Sequence, residues 1–392
     1  MSAKQLLINQ INNMNFGVDQ EIYNKSTGNA HYEISKLAGD LTQEYNLLQG
    51  ATLDLSNQMS TPDKTGALDL TVNVGGQSYN GQVCLSGDKV IINKAILEMI
   101  AELFPQTQMG DIAQYPDYLY FSREEMSGVW ESMLQYRDNQ APQELKDLLV
   151  FLVEAIPDQY FTASLSGVTF KLDQAGLEDV IYNVLLKVRD EKERFAGIIV
   201  GMSTMYGPNP DLDPETMRED IIAGIDKAVA DGSFPTKEQI HLMSQFVQVQ
   251  DFYYQASLPP SAAKEFKLTL KLSETSGLPG EITITSKTTG SKNNINTNAN
   301  ASLDIKTIDG NNISGTLNQT YMYQAKRADS QMVMSAKASN PSTGGTLLDF
   351  ELKGDSSQQA DSGLKIALPE LNEENSMDIT SLIEQGTDED RL

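Results

Sequence analysis

Alternation of apolar and polar residues is clearest between Phe161 and Met202, where two short strands run into an amphipathic helix. Phe161, Ala163 and Leu165 alternate with polar residues, Ser166-Gly167 signals a turn, and Val168, Phe170 and Leu172 alternate again, which is the pattern of a hairpin. Asp173 is placed to accept from the free amides of a first helical turn. Leu177, Val180, Ile181, Val184, Leu185 and Val188 then recur at helical spacing. The expectation is a helix resting on its own hairpin, with Leu177, Ile181, Val184 and Val188 buried and Glu178, Lys187 and Asp190 exposed.

The remaining chain divides by the same criterion. Residues 1–16 read as an amphipathic helix with Leu6, Leu7, Ile11 and Met14, and residues 17–28 as polar loop. Tyr32, Ile34, Leu37, Leu41, Tyr45 and Leu48 fit a helix loosely. Four alternating runs follow, 51–55, 67–74, 78–85 and 89–92, separated by turn sequences, and describe an antiparallel meander. A mainly helical stretch comes next. Its elements are a short helix around Ile96 to Leu103, a helix capped by Ser122 and Glu125 that carries Met126, Val129, Trp130, Met133 and Leu134, and a helix from Pro142 to Ile156. Beyond the hairpin unit, Asp213-Pro214 and Thr236 with Gln239 mark two more helix starts. The second of these has no clear end before Phe252, Tyr253 and Tyr254. From residue 262 the composition turns to Ser, Thr, Asn and Gly, with alternation at Phe266–Leu272, Ile282–Ile284, Leu303–Ile305, Ile313–Leu317, Met332–Met334, Leu348–Leu352 and Leu364–Leu368. These read as a second meander of about seven strands, each with a wet face.

Two meanders around a helical block predict an α+β fold: a strongly bent antiparallel sheet, or half-barrel, with helices packed on its concave face, because each sheet must cover its apolar side. The expected organisation is N-terminal helices over 1–50, one bent-sheet domain over 51–372 with a helical block at 94–257 and a C-terminal meander at 262–368, and an acidic tail at 373–392. Within that tail only a turn at Ile379–Ile383 is expected. Two subdomains split near residue 260 are the alternative.

Charge narrows the partners. With 54 acidic against 29 basic residues the formal net charge is −25, which repels nucleic acid and anionic membranes. No apolar stretch is long enough to span a bilayer as a helix, and the first residues do not have the form of a signal peptide. The lone cysteine, Cys84, sits in an alternating run and reads as a small core residue. Two isolated histidines, His31 and His241, supply neither a triad nor a zinc set. Asp211, Asp213 and Glu215 make a weak calcium candidate, since Pro214 interrupts it and Ile222 stands at the twelfth position; helix capping explains the same residues. No cofactor is implied.

Aromatic residues offer a further clue. Tyr118, Tyr120, Trp130, Phe252 and Tyr254 lie in or beside the helical block, where they would contact an apolar or carbohydrate ligand if they lined the inside of a bent sheet. Core packing is the competing reading of the same rings.

With these elements placed, the chain resembles extracytoplasmic proteins of Gram-positive bacteria with the LolA/LppX type of lipoprotein fold, some of which precede copper-amine-oxidase-like stalk domains. The resemblance rests on the meander ending at Ser86–Ile92, the run Pro116–Tyr120, the unit Val168–Val188 and the closing Glu373–Ile379. It implies an exported, non-enzymatic protein that holds an apolar or lipid-like molecule, or serves as an envelope interaction module. It carries over no site residues. The expected location is extracellular or at the cell surface after removal of a leader, with the cytoplasm as alternative. A glycan hydrolase using two carboxylates, and a purely structural protein without a ligand, are the other readings. The oligomeric state is left open.

Overall fold

The two meanders are halves of one sheet, joined by a strand that the sequence pattern hides. The structure, a computed structural model, describes residues 2–14, 20–103, 112–122, 130, 141–203, 213–258, 261, 263–291 and 294–380. The first meander comprises β1 (Lys25–Ala38), β2 (Thr52–Ser60), β3 (Thr65–Val74), β4 (Gln77–Ser86), β5 (Lys89–Asn93) and β6 (Tyr118–Ser122). The second comprises β7 (Phe161–Ser164), β8 (Gly167–Leu172), β9 (Val247–Ser257), β10 (Lys264–Leu272), β11 (Gly280–Ser291), β12 (Asn294–Lys306), β13 (Asn312–Gln324), β14 (Arg327–Asn340) and β15 (Gly345–Ala360). With β16 (Ser376–Asp378) the order across the sheet is β16-β6-β5-β4-β3-β2-β1-β15-β14-β13-β12-β11-β10-β9-β8-β7. Every pairing is antiparallel except β16 with β6, and the sheet does not close into a barrel. The fold is α+β.

Four expectations are corrected. Residues 25–38 form β1 and not loop followed by helix, and residues 40–48 form a 3-10 helix, so the N-terminal 50 residues are not all helical. The cause is a bulge: Ile34 faces Leu352 and Leu37 faces Phe350, so two residues three apart share one face and imitate helical spacing. A second bulge lies opposite Thr269/Leu270, where Val249 and Phe252 share a face, and β9 is a strand from Val247 onward. Leu364–Leu368 is not a strand, because β1 already holds the free edge of β15. The acidic tail is ordered as β16 over Ser376–Asp378, and residues 381–392 lie outside the described residues.

The helices are α1 (Ala3–Asn12), α2 (Gln20–Asn24), α3 (Lys94–Leu103), α4 (Gln143–Ala155), α5 (Gln174–Asp190), α6 (Lys192–Ser203), α7 (Pro214–Ala230) and α8 (Lys237–Ser244), of which α1, α5, α7 and α8 start at side-chain caps. Asp173 accepts from the Gly176 amide at 2.8 Å, Asp213 accepts from Glu215 and Thr216, and Thr236 with Gln239 forms a complete capping box. The helix capped by Ser122 lies outside the described residues except for Trp130.

Helix α5 does rest on its own hairpin, with Leu177 and Val180 against Phe161, Val168, Phe170 and Leu172. The expected burial of its faces needs correction, however. Ile181 is exposed, whereas Lys187 and Glu178 are mostly covered. The reason is that the polar face clamps neighbouring helices. Lys187 bridges Glu154 of α4 at 3.0 Å and Glu191 at 2.5 Å while lying 5.0 Å from the Phe151 ring centroid. Glu178 accepts from Ser244 at 2.5 Å and pairs with His241 at 3.0 Å, and Asp179 pairs with Lys237 at 2.6 Å.

These contacts make the α5–α8 junction acid-sensitive. The Ser244 hydroxyl and then His241 hold the Glu178 carboxyl below its ordinary value, and Lys237 followed by Tyr160 do the same for Asp179. Groups depressed in the folded state contribute stability above their unfolded pKa of about 4, and that stability is lost as pH falls through the folded values. Amide exchange of Lys237–Ser244, corrected for intrinsic rate, is therefore expected to accelerate relative to the β12–β14 amides on going from about pH 6 to about pH 3. Equal acceleration in both segments would show that the junction contributes nothing specific.

Candidate functional site

Side chains directly opposite one another in neighbouring strands point to the same face, so the register traces each face across the sheet. One row runs Leu172, Phe252, Leu268, Ile284, Ala301, Leu317, Met334, Leu352 and Ile34, giving one apolar residue on each of nine consecutive strands. The flanking rows on that face include Phe266, Met332 and Tyr32 on one side and Leu270, Ile282, Leu303, Ala336 and Phe350 on the other. The opposite face is polar: Lys267, Thr283, Thr285, Asn300, Ser302, Thr316, Asn318, Ser335 and Lys353 occupy the alternate positions.

The described helices that pack on the sheet gather on the apolar face. Ile96 of α3 comes within 2.6 Å of where a Cβ on Gly81 would lie, beside Leu70. At the far end α1, α4 and α5 cover Val168, Phe170 and Leu172. Helix α2 brings Tyr23 next to Tyr321 and Tyr323, and burial followed by these ring neighbours pushes the Tyr321 phenol up. Between those covers, over β11–β14, the central row is open among the described residues: Ile284 is 38% exposed, Leu317 36% and Met334 36%. The result is an apolar strip with helices at both ends, here called the trough.

An aromatic series leads from the covered end into the open part. Phe161 stacks on Phe170 with centroids 5.0 Å apart, Phe170 meets Phe252 edge-on at 5.4 Å, and Phe252 meets Phe266 edge-on at 5.8 Å. Burial raises the Tyr254 phenol beside them. Of the sequence-predicted site residues, then, Phe252 and Tyr254 line this face. Tyr118 and Tyr120 do not join them. They pair with Asn93 and Ile91 on β5, which places them on the opposite face and near the opposite edge; the Lys89 ammonium sits 5.0 Å from the Tyr120 centroid. Trp130 is fully buried, its indole N–H donating to the Gly87 carbonyl at 2.7 Å, and so acts as core.

The weak calcium candidate resolves into a cap. Asp213 caps α7 through Glu215 and Thr216, whose hydroxyl and amides lower its carboxyl; Glu215 approaches Arg218 at 3.9 Å; and Asp211 lies outside the described residues. Among the described residues no three His, Cys, Asp or Glu side chains are placed to share a metal. Cys84 is buried and its thiol is pushed up by burial. His31 accompanies Asp54 at 2.7 Å in a polar groove of about 290 Å³ that Asp69 and Asp355 also line; the Asp54 hydrogen bond raises its pKa against the pull of desolvation.

Residues missed as site residues from sequence are those of the central row, Leu268, Ile284, Leu317, Met334 and Leu352. Their signal was present in the distances to each turn, since partners in a hairpin are equidistant from it. Neither a known protein-family model nor a curated protein matches this chain. No described helix is long and apolar enough to cross a membrane.

Proposed function

We propose that this protein is a non-catalytic binding protein that holds an acyl chain or a similar extended apolar molecule along the trough. The observation that carries the reading is the unbroken apolar row from Leu172 to Ile34, open at Ile284, Leu317 and Met334 and covered by helices toward its ends. A central apolar row across nine strands, with further apolar residues beside it on several of them, suits an extended ligand, and neighbouring strands about 4.8 Å apart offer a nearly continuous apolar track. An envelope setting belongs to the same proposal and is supported by the sequence likeness alone. The hydrolase alternative would need a carboxyl with a raised pKa as general acid. The described carboxyls that depart from their ordinary values, among them Glu154, Glu178, Asp179 and Glu191, move downward.

Leu317→Lys puts a charge in the middle of the row at a position already partly exposed. Losing one leucine-sized contact of about 1.5–3 kcal/mol corresponds to a roughly ten- to hundred-fold weaker affinity. An uncharged fluorescent long-chain acyl ester is expected to bind the wild-type chain and to bind this variant that much less, with an unchanged circular dichroism spectrum. Asn318→Lys, on the opposite face, is expected to bind as wild type. Equal binding by both variants would remove the trough from consideration.

A further inference from the structure

The two ends of the strands differ in chemistry. At one end lie the connections 38–52, 74–77, 272–280, 306–312 and 340–345 and the α8–β9 junction, as the pairings Thr52 with Asn73, Val74 with Gln77, Leu272 with Gly280, Lys306 with Asn312, and Asn340 with Gly345 show. Connections at a strand end face water and are ordinarily polar. Here they are not. Leu41 is 66% exposed, Leu47 72%, Met243 70%, Phe246 47%, Leu278 43% and Ile308 85%. Glycine turns shape the backbone around them: Ile308 precedes the positive-φ Gly310, Leu278 follows the positive-φ Gly277, and Leu47 lies in the 3-10 helix beside Gly75. At the other end of the strands the described connections are polar or charged, with Asp63, Lys64, Asp88, Lys326 and Asp361, and Leu165 is the one exposed large apolar residue at a described turn.

We propose that this end of the sheet is a membrane-docking rim that inserts its apolar tips into the interfacial layer of an electrically neutral lipid bilayer. Three features point to a bilayer. The apolar tips belong to four separate connections spread from β2 to β9, eight inter-strand steps or roughly 40 Å at about 4.8 Å each, which suits an extended, chemically uniform surface better than a small pocket. The tips are one or two side chains on otherwise polar connections, a geometry that reaches the acyl boundary while the backbone stays hydrated. The rim also adjoins the end of the open apolar face, since Leu272 and Leu37 lie at the strand ends that lead into these loops.

The neutral headgroup follows from charge. The rim carries Asp40, Glu274, Glu281 and Asp309 against Lys271 and Lys306, and the whole chain carries −25, so an anionic surface is repelled. This rim stands on residues other than those of the trough. Together with the trough reading it implies that an acyl chain passes from the bilayer edge onto the sheet without crossing water.

Flotation with phosphatidylcholine vesicles tests the rim on the full chain. The wild type is expected to float with the vesicles and to do so less as phosphatidylserine is added. Leu47→Asp and Ile308→Asp, both at exposed positions that leave the fold intact by circular dichroism, are each expected to lower vesicle partitioning about ten-fold. Leu165→Asp, at the opposite end, is expected to float as wild type. The proposal is overturned if the wild type fails to float, if it floats only with phosphatidylserine, if Leu165→Asp is as defective as the rim variants, or if light scattering shows that the rim instead pairs two copies of the chain. Loss of flotation with acyl-ester binding intact overturns the rim alone, and the converse overturns the trough alone.

Discussion

Trp130→Ala is expected to lower folding stability by about 3–5 kcal/mol, the range for emptying a large buried aromatic site. Trp130 is 0% exposed, and its N–H reaches the Gly87 carbonyl at 2.7 Å, in the turn between β4 and β5. Its removal empties a fully buried site and leaves that carbonyl without its donor. Trp130→Phe keeps a six-membered ring but loses the hydrogen bond and part of the indole volume, at about 2 kcal/mol. Because this is the sole tryptophan, unfolding in urea has to be followed by far-ultraviolet circular dichroism. An unfolding free energy for the alanine variant within about 1 kcal/mol of wild type would mean that the ring is not core.

The second large effect concerns the join between the two halves. Tyr32 of β1 lies over Gly354 of β15, so a Cβ added there would sit 2.6 Å from Cδ1 of the ring. An aromatic ring laid over a glycine in the neighbouring strand shields the ladder hydrogen bonds at that point. Gly354→Val has to push the ring off the seam and is expected to cost about 1–3 kcal/mol. Adding Tyr32→Ala removes the clash, so the double variant is expected to lose about 1 kcal/mol less than the sum of the singles. At Gly315, where an added Cβ would meet only the Ser335 carbonyl oxygen at 3.4 Å, alanine is expected to be tolerated. Additive losses at Tyr32 and Gly354 in urea titrations would show that the ring does not occupy this place.

Strands bounded by glycine turns, such as those either side of Gly75-Gly76 and Asp309-Gly310, were readable because alternation and turn chemistry agreed. The joining strand was not. Its apolar-face positions include Gly28 and Ala30, too small to register as hydrophobic, and the bulge after Ile34 turned a two-residue period into three. The turn at Ala325-Lys326 takes positive φ with neither glycine nor asparagine, so the β13–β14 hairpin lacked its usual mark. Helix α5 was phased by its apolar residues alone, whereas Glu178, Asp179 and Lys187 find partners on other helices that only tertiary contact reveals. For the same reason the aromatic candidates split: Phe252 and Tyr254 are assigned to the trough by register, and nothing in the spacing of Tyr118 and Tyr120 told which face they would take.

The pairing of β1 with β15 also sets a timetable for biosynthesis. Some 300 residues separate the end of β1 from the start of β15, and a ribosome adding about 5–20 residues per second needs roughly 15–60 s to cover them. Throughout that interval β1 has β2 on one flank and a bare ladder of amides and carbonyls on the other. Nascent chains on one messenger would present identical bare ladders to one another, so the risk of mispairing during synthesis is concentrated at residues 25–38 until the C-terminal half arrives.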